Sequence, residues 1–158
     1  MIFEFGKYKL DIDVEKTKEF YDKAEMITEG CRCAGCQNFE QAVDILPLEV
    51  KKFFANLGID MRKICECYVN YTNEDRTLFY GGFCHICGDL MSGESAWIKY
   101  DDTSSHWDDK KTFAISENFH ISFQKEVSLL EKDFPLPAIQ LEFSANIPWV
   151  LNEENTYR

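Results

Sequence analysis

ICECYVNYTNEDRTLFYGGFCHICGDL, residues 64–90, is where the chain changes its period. Ile64, Glu66, Tyr68 and Asn70 alternate with Cys65, Cys67, Val69 and Tyr71, the two-residue repeat of a strand with unlike faces. Asn73-Glu74-Asp75-Arg76 then supplies a turn into a second run, Thr77–Leu90, so the two runs are expected to pair as antiparallel neighbours. Gly81-Gly82 inside the second run marks a bulge or a close approach of another backbone.

Upstream of this stretch the apolar residues recur mostly at helical steps. Phe3, Phe5, Tyr8, Leu10 and Ile12 around Gly6-Lys7 first describe a short hairpin. Val14, Thr17, Phe20, Tyr21, Ala24 and Ile27 then fall on one stripe of an amphipathic helix that Gly30 stops. Cys31-Arg32-Cys33-Ala34-Gly35-Cys36 reads as a tight loop, and Asn38 with Gln41 as the capping box of the next helix, whose apolar residues are Phe39, Ala42, Val43 and Leu46. Pro47 suits the first position of a further helix, with Val50, Phe53, Phe54 and Leu57 on its buried face. Gly58-Ile59 reads as its glycine cap.

Downstream, Ala96–Tyr100 reads as a short strand, Asp101–Lys111 as a polar exposed loop, Phe119–Phe123 as a strand and Ile139–Phe143 as the last strand, after the turn at Phe134–Pro137. Helices come first and strands after them. That segregation gives an α+β fold, with N-terminal helices packed on a mainly antiparallel sheet, and not an alternating doubly wound one. Residues 1–158 hold no repeat, low-complexity stretch or linker and are expected to form a single domain.

Asp and Glu number 28 against 17 Lys and Arg, a net charge of −11 that is spread along the chain. Such a surface repels a phosphate backbone and an anionic membrane, so neither nucleic acid nor membrane is an expected partner. It suits a basic partner protein, with long-range attraction that salt weakens. No apolar run approaches the roughly 18 residues of a membrane span. The opening Met1–Lys7, charged from its fourth residue, lacks the pattern of an export signal, which makes the cytoplasm the expected location.

Seven cysteines stand in three groups, Cys31/Cys33/Cys36, Cys65/Cys67 and Cys84/Cys87. In a reducing compartment they are free, metal-bound or redox-active before they are structural disulfides. Three thiols at C-x-C-x-x-C spacing on one turn can converge on a point, so Cys31, Cys33 and Cys36 are candidate zinc ligands. A closed site needs a fourth, for which Cys65, Cys67, Cys84, His85 and Cys87 are the candidates. The same segment allows a redox pair, with Cys36 attacking and Cys33 resolving, if a helix N-terminus lowers the Cys36 pKa. It also allows thiols that only pack, and packing is the plainer account of Cys65, Cys67, Cys84 and Cys87. All three readings stand at this level.

The remaining features point to no chemistry. His85 lies among Phe83, Ile86 and Cys87 and reads as a core residue, while His106 and His120 have no evident partner acid. Asp101, Asp102, Asp108 and Asp109 lack the calcium-loop ladder and read as a solvated turn. Glu40, Asp44, Glu66 and Glu142 form no pair that the sequence brings together. Phosphate-loop, dinucleotide, esterase and zinc-protease motifs do not occur.

Cys31-x-Cys33-x-x-Cys36-x-Asn38-Phe39, Leu57-Gly58-Ile59-Asp60, Phe134-Pro135, Gln140-Leu141-Glu142-Phe143 and Pro148-Trp149-Val150-Leu151 together resemble a family of small uncharacterised bacterial proteins. The resemblance spans most of the chain and implies a single bacterial cytoplasmic domain whose most specific segment is Cys31–Phe39. It supplies no mechanism. With no complete catalytic signature in the chain, the expected protein is non-enzymatic, with a cysteine loop that is structural or binds metal, zinc being the candidate ion. A thiol-dependent redox protein using Cys33 and Cys36 is the alternative.

Overall fold

In the computed structural model, which describes residues 1–158, the N-terminal hairpin forms as read: β1 (Ile2–Phe5) pairs antiparallel with β2 (Tyr8–Ile12). The stripe from Val14 becomes two helices, α1 (Val14–Lys23) and the single turn α2 (Ile27–Gly30), with Ala24 extended between them. Two side chains account for the break. Lys63 Nζ donates to the carbonyls of Tyr21 at 2.8 Å and Asp22 at 3.4 Å, and Glu29 Oε2 accepts the Met26 N–H at 2.6 Å, starting a new turn.

α3 (Ala34–Ala42) opens earlier than the Asn38/Gln41 pattern suggests, and Asn38 lies mid-helix, fully buried. The helix tightens into a 3₁₀ turn at Val43–Ile45. Pro47 is then the N-cap of α4 (Leu48–Asn56), one position before its expected place. The glycine cap is found: Gly58 has φ +84°, its N–H donates to Ala55 O at 3.0 Å, and the Ile59 N–H donates to Phe54 O at 3.0 Å. These are the two bonds of a Schellman motif.

β3 (Glu66–Thr72) and β4 (Leu78–Ser92) are the antiparallel neighbours expected from residues 64–90. A side chain at Gly82 would overlap Glu66 O and stand 2.7 Å from the Phe143 ring, so the close approach is real. The acidic segment after β4 is more ordered than a solvated loop. β5 (Trp97–Lys99) and β6 (Ser105–Trp107) form a two-stranded sheet there, because only the tip 101–104 is fully polar, and Trp97 packs edge-on to Trp107. β7 (Phe113–Ser116), which the alternation does not reveal, pairs with β8 (Phe119–Gln124), and β9 (Ala138–Ile147) runs past the expected Phe143.

The main sheet has seven strands in the order β1-β2-β4-β9-β8-β7, with β3 also on β4, all antiparallel. β4 is its spine. Along one edge it pairs with β9 from Leu78 to Cys87; along the other it pairs with β3 over Leu78–Phe83 and with β2 over Gly88–Ser92. β9 separates two buried layers. Leu141, Phe143 and Ala145 meet the helices, Phe39 of α3 stacking on Phe143 at 5.7 Å. Gln140, Glu142 and Ser144 are also buried, because residues 93–112 and 124–128 supply partners. Ser95 Oγ donates to Glu142 at 2.8 Å, Gln124 Nε2 donates to it as well, and the Trp107 N–H donates to Ser144 Oγ at 3.2 Å. The α+β class is as expected, and no helix is long and apolar enough to cross a membrane.

Candidate metal centre

The start of α3 explains why the three loop cysteines meet. Cys33 is the N-cap, with extended backbone (φ −64°, ψ 158°), and its Sγ accepts the Cys36 N–H at 3.4 Å. A thiol here does what Ser or Asp usually does for a helix N-terminus. Cys36 is therefore in the first helical turn and not in a loop, and its side chain faces inward, 6% exposed. Cys31 Sγ lies 3.3 Å from Cys33 Sγ, and all three sulfurs are within 4.8 Å of one another.

A fourth thiol closes on this group from the sheet. Cys67 of β3 is 5% exposed, and its sulfur is 3.9 Å from Cys36 Sγ. Among the other candidates, Cys84 and Cys87 are buried in the core and join neither cluster of ligand atoms, while Cys65 and His85 meet each other beside Glu131. Alternation alone would place Cys65 with Cys67. Cys65 stands just before β3 begins, and its thiol donates instead to Leu129 O at 3.5 Å.

The cysteine turn is fixed by residues distant in sequence. The Gly35 N–H donates to the Tyr157 hydroxyl at 3.0 Å, and the Tyr80 hydroxyl donates to Gly35 O at 2.7 Å. A Cβ at Gly35 would stand 3.0 Å from both Tyr157 Oη and Val69 Cγ2, so a larger residue there must push these side chains aside. One turn further on, Asn38 Nδ2 donates to Tyr80 Oη at 3.2 Å and Pro148 O at 3.1 Å, and its Oδ1 accepts the Val150 N–H at 2.7 Å. Asn38 and Pro148–Val150, far apart in sequence, are thus one contact. The polar Asn in an otherwise apolar helix face was the available signal, but it reads equally well as a cap.

Electrostatics separate the metal and redox uses of this site. The helix N-terminal thiol is Cys33, and the expected lowering of Cys36 is not what its surroundings produce: the hydrogen bond with Cys67 and then burial push the Cys36 thiol up. A raised thiol opposes an attacking role for Cys36. A soft cation would replace these thiol protons, and its charge would stabilise the resulting thiolates. Cys31, Cys36 and Cys67 open on a cleft of about 760 Å³ between the end of α1 and β3, which gives an ion a route in. Searches against protein-family models, curated proteins and solved structures found no match for this chain.

Proposed function

We propose that the protein is a non-enzymatic cytoplasmic binding domain in which Cys31, Cys33, Cys36 and Cys67 hold a structural zinc ion. One observation carries this reading: three mutually close thiols around the N-terminus of α3, with a fourth in contact from β3. Zinc–sulfur bonds of about 2.3 Å in a tetrahedron set sulfur–sulfur edges of about 3.8 Å. The contacts of 3.3 and 3.9 Å bracket that value. Drawing the Cys31 and Cys33 side chains, both exposed, towards Cys67 completes the four.

The ion would join α3 to the sheet at the point where the C-terminal segment also docks. Its binding free energy is folding free energy, since no such site exists in the unfolded chain. The domain's action is then contact with a basic partner, supported by the net charge of −11. The test is native mass spectrometry with elemental analysis of untagged protein purified in reductant. Zinc bound in wild type, with one ion fewer in Cys33→Ser and in Cys67→Ser, is the expected result; an unchanged count in both variants overturns the proposal. For the partner, recovery of a basic protein at low salt and its loss at high salt is expected, and binding indifferent to salt refutes the charge argument.

A further inference from the structure

A second group of donors lies in the same cleft and shares no residue with the first. Cys65 precedes β3, His85 is in the middle of β4, and Glu131 is on the segment between β8 and β9; their ligand atoms lie within 4.8 Å of one another. Cys65 and Glu131 line the cleft, while the His85 ring behind them is fully buried.

The hydrogen bonds around His85 fix which ring nitrogen faces the cluster. The Ser128 N–H donates to Gln140 Oε1 at 2.7 Å, so that oxygen is an acceptor. Gln140 Nε2 in turn points to Glu142 Oε2 at 3.4 Å, which agrees with the same amide orientation. His85 Nε2, 3.1 Å from Gln140 Oε1, must then carry a hydrogen and donate. Nδ1 is left towards Glu131 Oε1 at 2.6 Å, a contact that needs one proton between ring and carboxyl. This is the arrangement in which metal-binding histidines are found: one nitrogen anchored through its N–H to a fixed oxygen, the other presented with its lone pair.

We infer that Cys65 Sγ, His85 Nδ1 and a Glu131 carboxylate oxygen form a second divalent metal site, of the borderline-soft class that zinc represents. A thiolate, an imidazole and a carboxylate are its three donor types, and three protein ligands leave a position for water or a small anion. The metal takes the place of the proton between His85 and Glu131 and of the Cys65 thiol proton. The site is then neutral, two negative ligands against two positive charges, as the protonated cluster is. Ligand atoms at about 2.0–2.3 Å around one ion are separated by more than 3 Å, so Glu131 must retreat from 2.6 Å. It can do so: its side chain is 27% exposed and its segment has no regular structure.

The first site needs Cys31, Cys33, Cys36 and Cys67, this one Cys65, His85 and Glu131, so the two can fail separately. The experiment is titration of zinc onto chelator-treated, reduced full-length protein, with the bound ions counted by native mass spectrometry. Wild type, Cys33→Ser, Cys65→Ser and Glu131→Gln are compared, and circular dichroism confirms that each is folded. Cys65→Ser is close to isosteric and Glu131 is partly exposed, so neither variant empties the core as His85→Ala would. Two zinc ions in wild type and one in each variant is the expected result. A folded Cys65→Ser or Glu131→Gln that keeps the wild-type count overturns the second site. One ion in wild type that survives in Cys33→Ser and is lost in Glu131→Gln supports this site and refutes the thiol centre. No ion in wild type overturns both.

Discussion

Replacing Asn38 with alanine removes three hydrogen bonds from a fully buried position and leaves their partners behind. The Val150 N–H loses its acceptor at 2.7 Å and the Pro148 carbonyl loses a donor. Tyr80 keeps its bond to Gly35 O, so its loss is smaller. An ordinary bond is worth about 1 kcal/mol net, and a buried group left unsatisfied about 1–3 kcal/mol. Val150 is half-buried and Pro148 exposed, so water takes over part of each lost bond. With the vacated side-chain volume the sum is about 2–4 kcal/mol, a large share of the roughly 5–15 kcal/mol that holds such a domain together. Urea unfolding in excess chelator isolates this loss from any metal contribution. Asn38→Asp keeps the acceptor for Val150 but has no amide to give Pro148, and should fall between wild type and alanine. A loss below about 1 kcal/mol in Asn38→Ala would refute the claim that this residue joins α3 to the C-terminal segment.

Further tests follow from the packing and the titratable groups. Phe39→Ala empties the stack on Phe143 and the contact with Tyr80 at 5.5 Å, and should cost about 3–5 kcal/mol in the same urea assay. Gly58→Ala forces a left-handed φ and a Cβ 2.6 Å from Val14 O, so a loss of more than about 1 kcal/mol is expected; a neutral result would show that the α4 cap can rebuild. Burial holds the Glu142 carboxyl above the usual range, against opposing hydrogen bonds from Ser95, Gln124 and Gln140. The folded state therefore binds that proton more tightly than the unfolded chain does. Glu142's contribution is complete below the ordinary glutamate pKa and is lost as pH rises through the folded one. Glu142→Gln should flatten the stability–pH curve above the ordinary range, and an unchanged slope would refute this. Chelation of zinc-loaded protein should lower the melting temperature of wild type and leave chelator-treated Cys33→Ser/Cys65→Ser unmoved.

What could be read from the sequence follows from how local each determinant is. The hairpin at Gly6-Lys7 and the cap at Gly58-Ile59 are decided within a few residues and are where they were expected, while the strand read from Ile64 begins at Glu66, after a short 3₁₀ turn. Cys31, Cys33 and Cys36 meet because they lie within six residues where the chain turns into α3, so spacing alone pointed to the group. Cys67 could only be one of five candidates, since the register of β3 against α3 is a tertiary fact. Asn38 was misplaced because the chemistry that makes Asn a good cap also makes it a good buried clamp. Glu131 left no trace: an acid in an irregular segment gains meaning only from His85, and the turn that brings them together has no local signature. The polar composition of residues 101–111 concealed β6, only three residues long, and with it the hairpin it forms with the strand expected at Ala96–Tyr100.

The central place of β4 also bears on how the chain is made. One of its edges can be closed as soon as β3 and β2 are available, since both precede it in the sequence. The other waits for β9, which cannot pair until the ribosome has added everything from Gly93 to Pro137. Through that interval Tyr80–Cys87 presents a row of unpaired amides and carbonyls, with two thiols that end up among the most buried in the protein. A nascent chain stalled there is a template for edge-to-edge association and for stray oxidation, so the yield of soluble protein should respond more to slow translation after Ser92 than to slow translation before Leu78.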